Sequence, residues 1–339
     1  MTTTQTPGTS TAPPRAGDVV RVRSREEILA TLDANGRLDG QPFMPEMLAF
    51  AGRDLPISAI AHKTCDTISR PSTGLRQLEH TVHLAGARCD GSAHGGCQAG
   101  CLLFWREEWL EDSDGRPLRA QPRAASSPVA TEETLHADTV AGADEDGATV
   151  YRCAATEVLR VTRPLPPLEP AQYVADVRSG NFAAAYVLRG LLVLAFNQFQ
   201  KLSRKLLPRQ ARIADGRPFP FFRGTGPGTA PEPLRLQPGE LVEVKSKDEI
   251  MAALGPNSKN RGLIFDGEML PFCGRRARVL RSVDHIIDEQ TGRMIHLRDC
   301  VILDEVTCMG RYHRFCPRAI YPYWREAWLR RVNEGVNGQ

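Results

Sequence analysis

The chain has 339 residues, 41% of them hydrophobic, nine cysteines and a formal charge of +3. That hydrophobic share supports packed cores and excludes a wholly disordered chain, while so small a net charge singles out no class of partner. The length predicts two or three domains.

In chain order, residues 1–16 are Thr- and Pro-rich and predict a disordered arm. This stretch carries no apolar leader, so the expected compartment is the cytoplasm, where thiols stay reduced. Residues 17–111 open with GDVVRVRS, which alternates as a strand does. Ser24-x-x-Glu27 then predicts a capping box and a short helix. Further short strands follow, and the segment closes on FWREEWL, whose Trp105 and Trp109 read as core packing. Residues 112–148 lack periodicity and predict a flexible linker. Residues 149–210 predict a helical middle segment: a short helix ending at Gly180, then the most apolar run of the chain, 182–196. Fifteen residues with Arg189 among them are too few and too polar to span a membrane, so a buried helix is expected. Residues 211–238 are a Gly/Pro-rich linker.

Residues 239–332 repeat the first module. Gly17–Gly52 aligns with Gly239–Gly274 without gaps, sixteen of thirty-six positions being identical, Glu46/Glu268 among them. After a register shift of three, Cys89/Cys308, His94/His313, Cys97/Cys316, Trp105/Trp324 and Trp109/Trp328 match. The expected architecture is α+β: tandem SH3-like barrels, each with one capped helix, or an α+β fold of another kind.

The densest chemical signal is RCDGSAHGGCQAGC, which supplies Cys89, His94, Cys97 and Cys101, with Cys65 upstream. Four thiols in one module suit a tetrahedral zinc site or an iron–sulfur cluster, with His94 as a further ligand, and the glycines let the backbone fold tightly around one ion. The spacing matches no common zinc ribbon or ferredoxin run. The second copy keeps Cys308, His313 and Cys316, and loses the counterparts of Cys65 and Cys101. A rearranged site of Cys273, Cys300, Cys308 and Cys316 is expected there, or three thiols completed by His313 or His285. Burial as small apolar side chains is the competing account of these cysteines. A nucleophilic Cys89 or Cys97 with His94 as base is the enzymatic alternative.

The apolar run is followed by Lys201, Arg204, Lys205, Arg209, Arg212, Arg217 and Arg223 against one acid, Asp215. Residues 182–212 therefore suit peripheral contact with an anionic membrane surface. Aromatic stacking signatures of RNA readers, P-loops and the common hydrolase and kinase motifs are absent, which argues against nucleic acid as the partner and gives no support to an enzyme.

At FMPEMLAF, HKTCDT, RCDGSAHGGCQAGCLLFWREEWL, GLIFDGEMLPFCG and FCPRAIYPYWREAWL the chain resembles a family of bacterial cysteine-rich two-module proteins. The resemblance implies the two-module layout and a bacterial origin, and brings no activity with it. The expected function is a zinc or iron–sulfur protein acting in interaction or scaffolding with a protein partner. A cluster-dependent redox or thiol enzyme is the alternative, and nucleic-acid binding the third.

Overall fold

The computed structural model describes residues 12–69, 74–120, 130–229 and 232–332. The arm expected over 1–16 lies outside them up to residue 11, as do 121–129 and 230–231 of the two expected linkers. Helix and strand are mixed throughout, in several small sheets. Among the described residues none of these sheets closes into a barrel.

The chain divides into two compact units that cut across the repeat. Unit 1 holds residues 1–183, 285–295 and 316–318, and unit 2 holds the rest. In unit 1 the main sheet is antiparallel, in the order Trp105–Arg106, Thr81–Leu84, Asp54–Ile60, Val19–Val22, Leu110–Glu111. Its two edge strands are joined by the tight 3-10 turn Glu107–Trp109. Alternation in VVRV buries Val20 and Val22 and exposes Val19 and Arg21. Ser24 caps the helix Arg25–Leu29 with the reciprocal Glu27 bond, and Ile28 anchors that helix in the core. Trp105 and Trp109 are fully buried and meet Phe43 edge-on at 6.2 and 5.0 Å. Their spacing is thus a packing device.

Unit 2 contains the same sheet in the same order: Trp324–Arg325, Cys300–Leu303, Arg276–Ser282, Leu241–Val244, Leu329–Arg331. The strand bulge recurs at equivalent positions, Ile57/Ala59 and Val279/Arg281. The capping box recurs at Ser246 and Glu249, and Phe265 meets Trp324 and Trp328 as Phe43 meets its pair.

Two expectations need correction. The stretch read as a linker over 112–148 carries the helix Glu132–Asp138 and the strand Val140–Ala143, which pairs with Thr149–Tyr151. Here the cap is Thr131 with Thr134, a weaker signal than Ser-x-x-Glu, and a single apolar residue, Leu135, secures the helix against Gly36. The hairpin turn is built on Asp144, whose side chain accepts from the Asp146 and Ala148 amides. Its acidic, Gly-containing sequence resembles disorder in composition alone. The apolar run, second, is not a buried helix. From Ala184 on it lies in the helix Ala184–Leu206, which buries Val187, Gly190, Gln200 and Ser203 and leaves Leu188, Leu192, Phe199, Leu202 and Leu206 exposed. Among the described residues no helix is long and apolar enough to cross a membrane.

Candidate metal centre

The four thiols expected to share one site in the first module divide. Cys89 pairs by backbone with Cys101, its amide donating to the Cys101 carbonyl at 2.9 Å, and turns its sulfur toward Glu46. Cys65 and Cys97 face other partners. Cys65 meets Cys316, sulfur to sulfur, at 3.3 Å, and Cys97 accepts from the Ile287 amide at 3.4 Å. Nor does the expected Cys273/Cys300/Cys308/Cys316 set assemble. Cys273 packs against the core of unit 2, Cys300 is tied to the Arg298 carbonyl and the Arg325 guanidinium, and Cys316 belongs to unit 1. Burial pushes the Cys300 thiol up to about 11. His285 lies in unit 1, its carbonyl accepting from the Gln98 amide.

What the fold does gather is one trio in each copy: Glu46, Cys89 and His94, and Glu268, Cys308 and His313. In each trio the three ligand atoms lie within 4.8 Å of one another. The residues are repeat equivalents throughout. Both glutamates sit in the first turn of a 3-10 helix, Pro45–Phe50 and Gly267–Phe272. Each accepts a backbone amide from the cysteine loop, Ala93 to Glu46 at 3.1 Å and its equivalent Tyr312 to Glu268. Glu46 and Glu268 are not legible as candidate ligands in the sequence, because an acid inside PEML or GEML resembles a helix-capping residue. The signal was there in the duplication, which kept an acid at a position that is 7% exposed in one copy and 3% in the other.

The loop that carries Cys and His is set by left-handed backbone. Gly91 and Gly310 share φ near +70° (77° and 66°), and each accepts the amide five residues on, Gly96 or Phe315. A Cβ at Gly91 would lie 2.0 Å from the Cys97 carbonyl oxygen, so only glycine fits. Gly95, Gly96 and Gly100 are also left-handed. Their equivalents Arg314, Phe315 and Ala319 keep positive φ (52°, 61° and 43°) despite carrying side chains. Each such residue costs roughly 1–2 kcal/mol, a cost that persists only where surrounding contacts impose the conformation.

In the first trio His94 Nδ1 stands 2.6 Å from Glu46 Oε1, and Nε2 stands 3.1 Å from the Arg152 carbonyl. A carbonyl accepts only from N–H, so Nε2 carries the proton, and Nδ1 is left to hold a second proton or a metal. Burial raises the Glu46 carboxyl, but the His94 hydrogen bond and charge outweigh it and hold it below its usual value. Burial, reinforced by Glu46, pushes the Cys89 thiol far up, so a cation is what would draw it into the thiolate form. In the second trio His313 Nδ1 lies 3.6 Å from the Cys308 sulfur and Nε2 lies 3.3 Å from Asp266. Burial alone would lower His313, but Asp266 and Cys308 raise it to about 11. In both copies the second carboxylate oxygen, Oε2 of Glu46 and of Glu268, is buried without a hydrogen-bond partner. A buried unpaired carboxylate oxygen costs free energy unless something cationic meets it.

One sulfur, one imidazole nitrogen and one carboxylate oxygen suit zinc, with a coordination position left over. They do not suit an iron–sulfur cluster, which is held by several thiolates. A cavity of about 30 Å³ adjoins the first trio, lined by Cys89, His94, Cys97, Cys101 and Cys153. It is large enough for a water molecule or an ion. A Cys97–His94 catalytic pair does not form, since the imidazole is engaged by Glu46 and Arg152. Comparison of the chain with family models, curated proteins and solved structures gave no match.

Proposed function

We propose that the protein is a tandem metal-binding module protein, each copy taking one zinc ion at its Glu–Cys–His trio, and that it acts in interaction or scaffolding. One observation carries this reading: the duplication assembles the same three ligands twice and leaves the same carboxylate oxygen unpartnered twice. Zinc in each trio would neutralise Glu46 or Glu268, ionise the buried thiol and tie the cysteine loop to the 3-10 turn, which stabilises a small module. The sheet order, with edge strands joined by a 3-10 turn, is in keeping with an opened SH3-like barrel, a fold that serves many binding roles.

What supports a protein partner is the exposed stripe Leu188, Leu192, Phe199, Leu202 and Leu206, spaced as the inner positions of a heptad. The basic residues beyond it favour the membrane-surface variant less, because Arg209 and Arg217 are paired with Asp215. A thiol-enzyme reading draws on the Cys308, His313, Asp266 alignment. It is the weaker one, because the first copy has Met44 where the second has Asp266. The test is zinc content per chain after loading and dialysis. Glu46→Gln and His313→Ala should each retain one zinc fewer than the wild type. Equal zinc in all three proteins would refute the trio sites.

A further inference from the structure

We propose that Cys65 and Cys316 are a redox couple: a buried dithiol in unit 1 that a small peroxide oxidises to a disulfide. The couple stands apart from the two Glu–Cys–His trios and does not depend on them.

The geometry is fixed from both sides. Cys65 ends the strand Lys63–Cys65 and pairs with Leu75 in the neighbouring strand. Residues 316–318 belong to the same unit. There Arg318, held by Glu289 at 2.7 Å, also donates to the Thr67 hydroxyl at 3.1 Å, two residues beyond Cys65. That anchor keeps Cys316 at the end of the strand. The Cys65 amide donates to the Cys316 sulfur at 3.1 Å, and the two sulfurs stand 3.3 Å apart. A disulfide bond is about 2.05 Å long, so closure brings the sulfurs only about 1.2 Å nearer.

The repeat supplies an internal comparison. Cys97 is the equivalent of Cys316, and Ile287 is the equivalent of Cys65. The Ile287 amide donates to the Cys97 sulfur at 3.4 Å, so both copies share the amide-to-sulfur contact. Where Ile287 offers a hydrocarbon side chain, Cys65 offers a second sulfur. Burial of cysteine as a small apolar residue accounts for the shared contact. It does not account for a second thiol set against the first.

Burial raises the Cys316 thiol, but the Cys65 contact, the Arg318 and Cys65 amides and the Arg318 charge together bring it to about 6. Cys316 is therefore the attacking group, since the thiolate is the nucleophile. It attacks one oxygen of hydrogen peroxide. The O–O bond breaks, and the hydroxide that leaves takes up the proton Cys316 had released. Cys316 is then a sulfenic acid. The Cys65 sulfur attacks the Cys316 sulfur, the S–O bond breaks, and the departing hydroxide leaves as water with the Cys65 proton. Two thiols give up two electrons, and one peroxide becomes two waters. Cys65 is 9% exposed and Cys316 3%, so the oxidant must be little larger than water.

The experiment treats the full chain, reduced and desalted, with one equivalent of hydrogen peroxide. The chain is then denatured in iodoacetamide and digested without reductant. The Cys65–Cys316 peptide pair should be the main cross-link, with two alkylated thiols fewer than the nine of the reduced chain. A loop closed across 251 residues should also speed the denatured chain through a non-reducing gel, and dithiothreitol should reverse both effects. Cys65→Ser should lose the cross-link and leave on Cys316 a sulfenic acid that dimedone traps. Cys97→Ser should leave the cross-link unchanged. The wild-type mapping stands even if a variant does not fold. Cys65 and Cys316 both recovered as alkylated thiols after peroxide, or Cys65 joined to other cysteines as often as to Cys316, would overturn the assignment.

Discussion

At the residue scale the chemistry depends on a few positions with little freedom. Gly91 is one. Its alanine variant must accept a left-handed φ, at roughly 1–2 kcal/mol, and also relieve contact with the Cys97 backbone. Gly91→Ala should lower the melting temperature and release the zinc proposed for the first copy while that proposed for the second stays; metal content and thermal unfolding together check this. His83 is another. It is fully buried, Nδ1 donating to the Leu103 carbonyl, and burial lowers its pKa to about 4. The unfolded chain takes up that proton near 6.5, whereas the folded chain waits until about 4. Its contribution is therefore complete above pH 6.5 and is lost as pH falls from 6.5 toward 4, on the order of 3 kcal/mol in all. His83→Asn keeps a donor near Nδ1 and should flatten that part of the stability profile in urea unfolding. An unchanged slope would remove His83 as its source. Cys89, His94, Cys308 and His313 were legible in the sequence because C-x4-H is repeated. Glu46 and Glu268 were visible as repeated letters only, since nothing local distinguishes a ligand carboxylate from a capping one.

At the scale of elements, the local rules served well where the pattern was strong. The two capping boxes, the alternating opening strands and the tryptophan pairs all form as their spacing dictates. The helix Glu132–Asp138 and its hairpin escaped notice because one buried leucine and an Asp-based turn give almost no periodic signal. The long helix Ala184–Leu206 was read correctly as a helix and wrongly as buried. Composition counts apolar residues without saying which face is covered, and here Gly190 and Ser203 lie on the covered one. Gly190 is needed there because a Cβ would lie 2.2 Å from the Phe315 ring. The uncovered stripe should make the protein self-associate or capture a helical partner. Leu192→Lys with Leu202→Lys should shift sedimentation toward the monomer and leave thermal stability within about 0.5 kcal/mol, as expected of exposed positions. A sedimentation profile identical to the wild type, with equal flotation on anionic vesicles, would leave the stripe without a role.

At the scale of the whole molecule, the repeat and the compact units have different boundaries. Residues 285–295 and 316–318 belong by sequence to the second copy and by contact to unit 1. No sequence window can announce that Cys65 meets a residue 251 positions away. Duplication thus explains two levels at once. It preserves the Glu–Cys–His trio inside each sheet module, and it sets one copy's cysteine, Cys316, against the other's, Cys65. The most direct test of the central claim is zinc per chain in the wild type against the Glu46→Gln/Glu268→Gln double variant, both loaded and dialysed alike. The twin-trio account predicts a loss of two equivalents with the fold retained by circular dichroism. A double variant holding as much zinc as the wild type would contradict it.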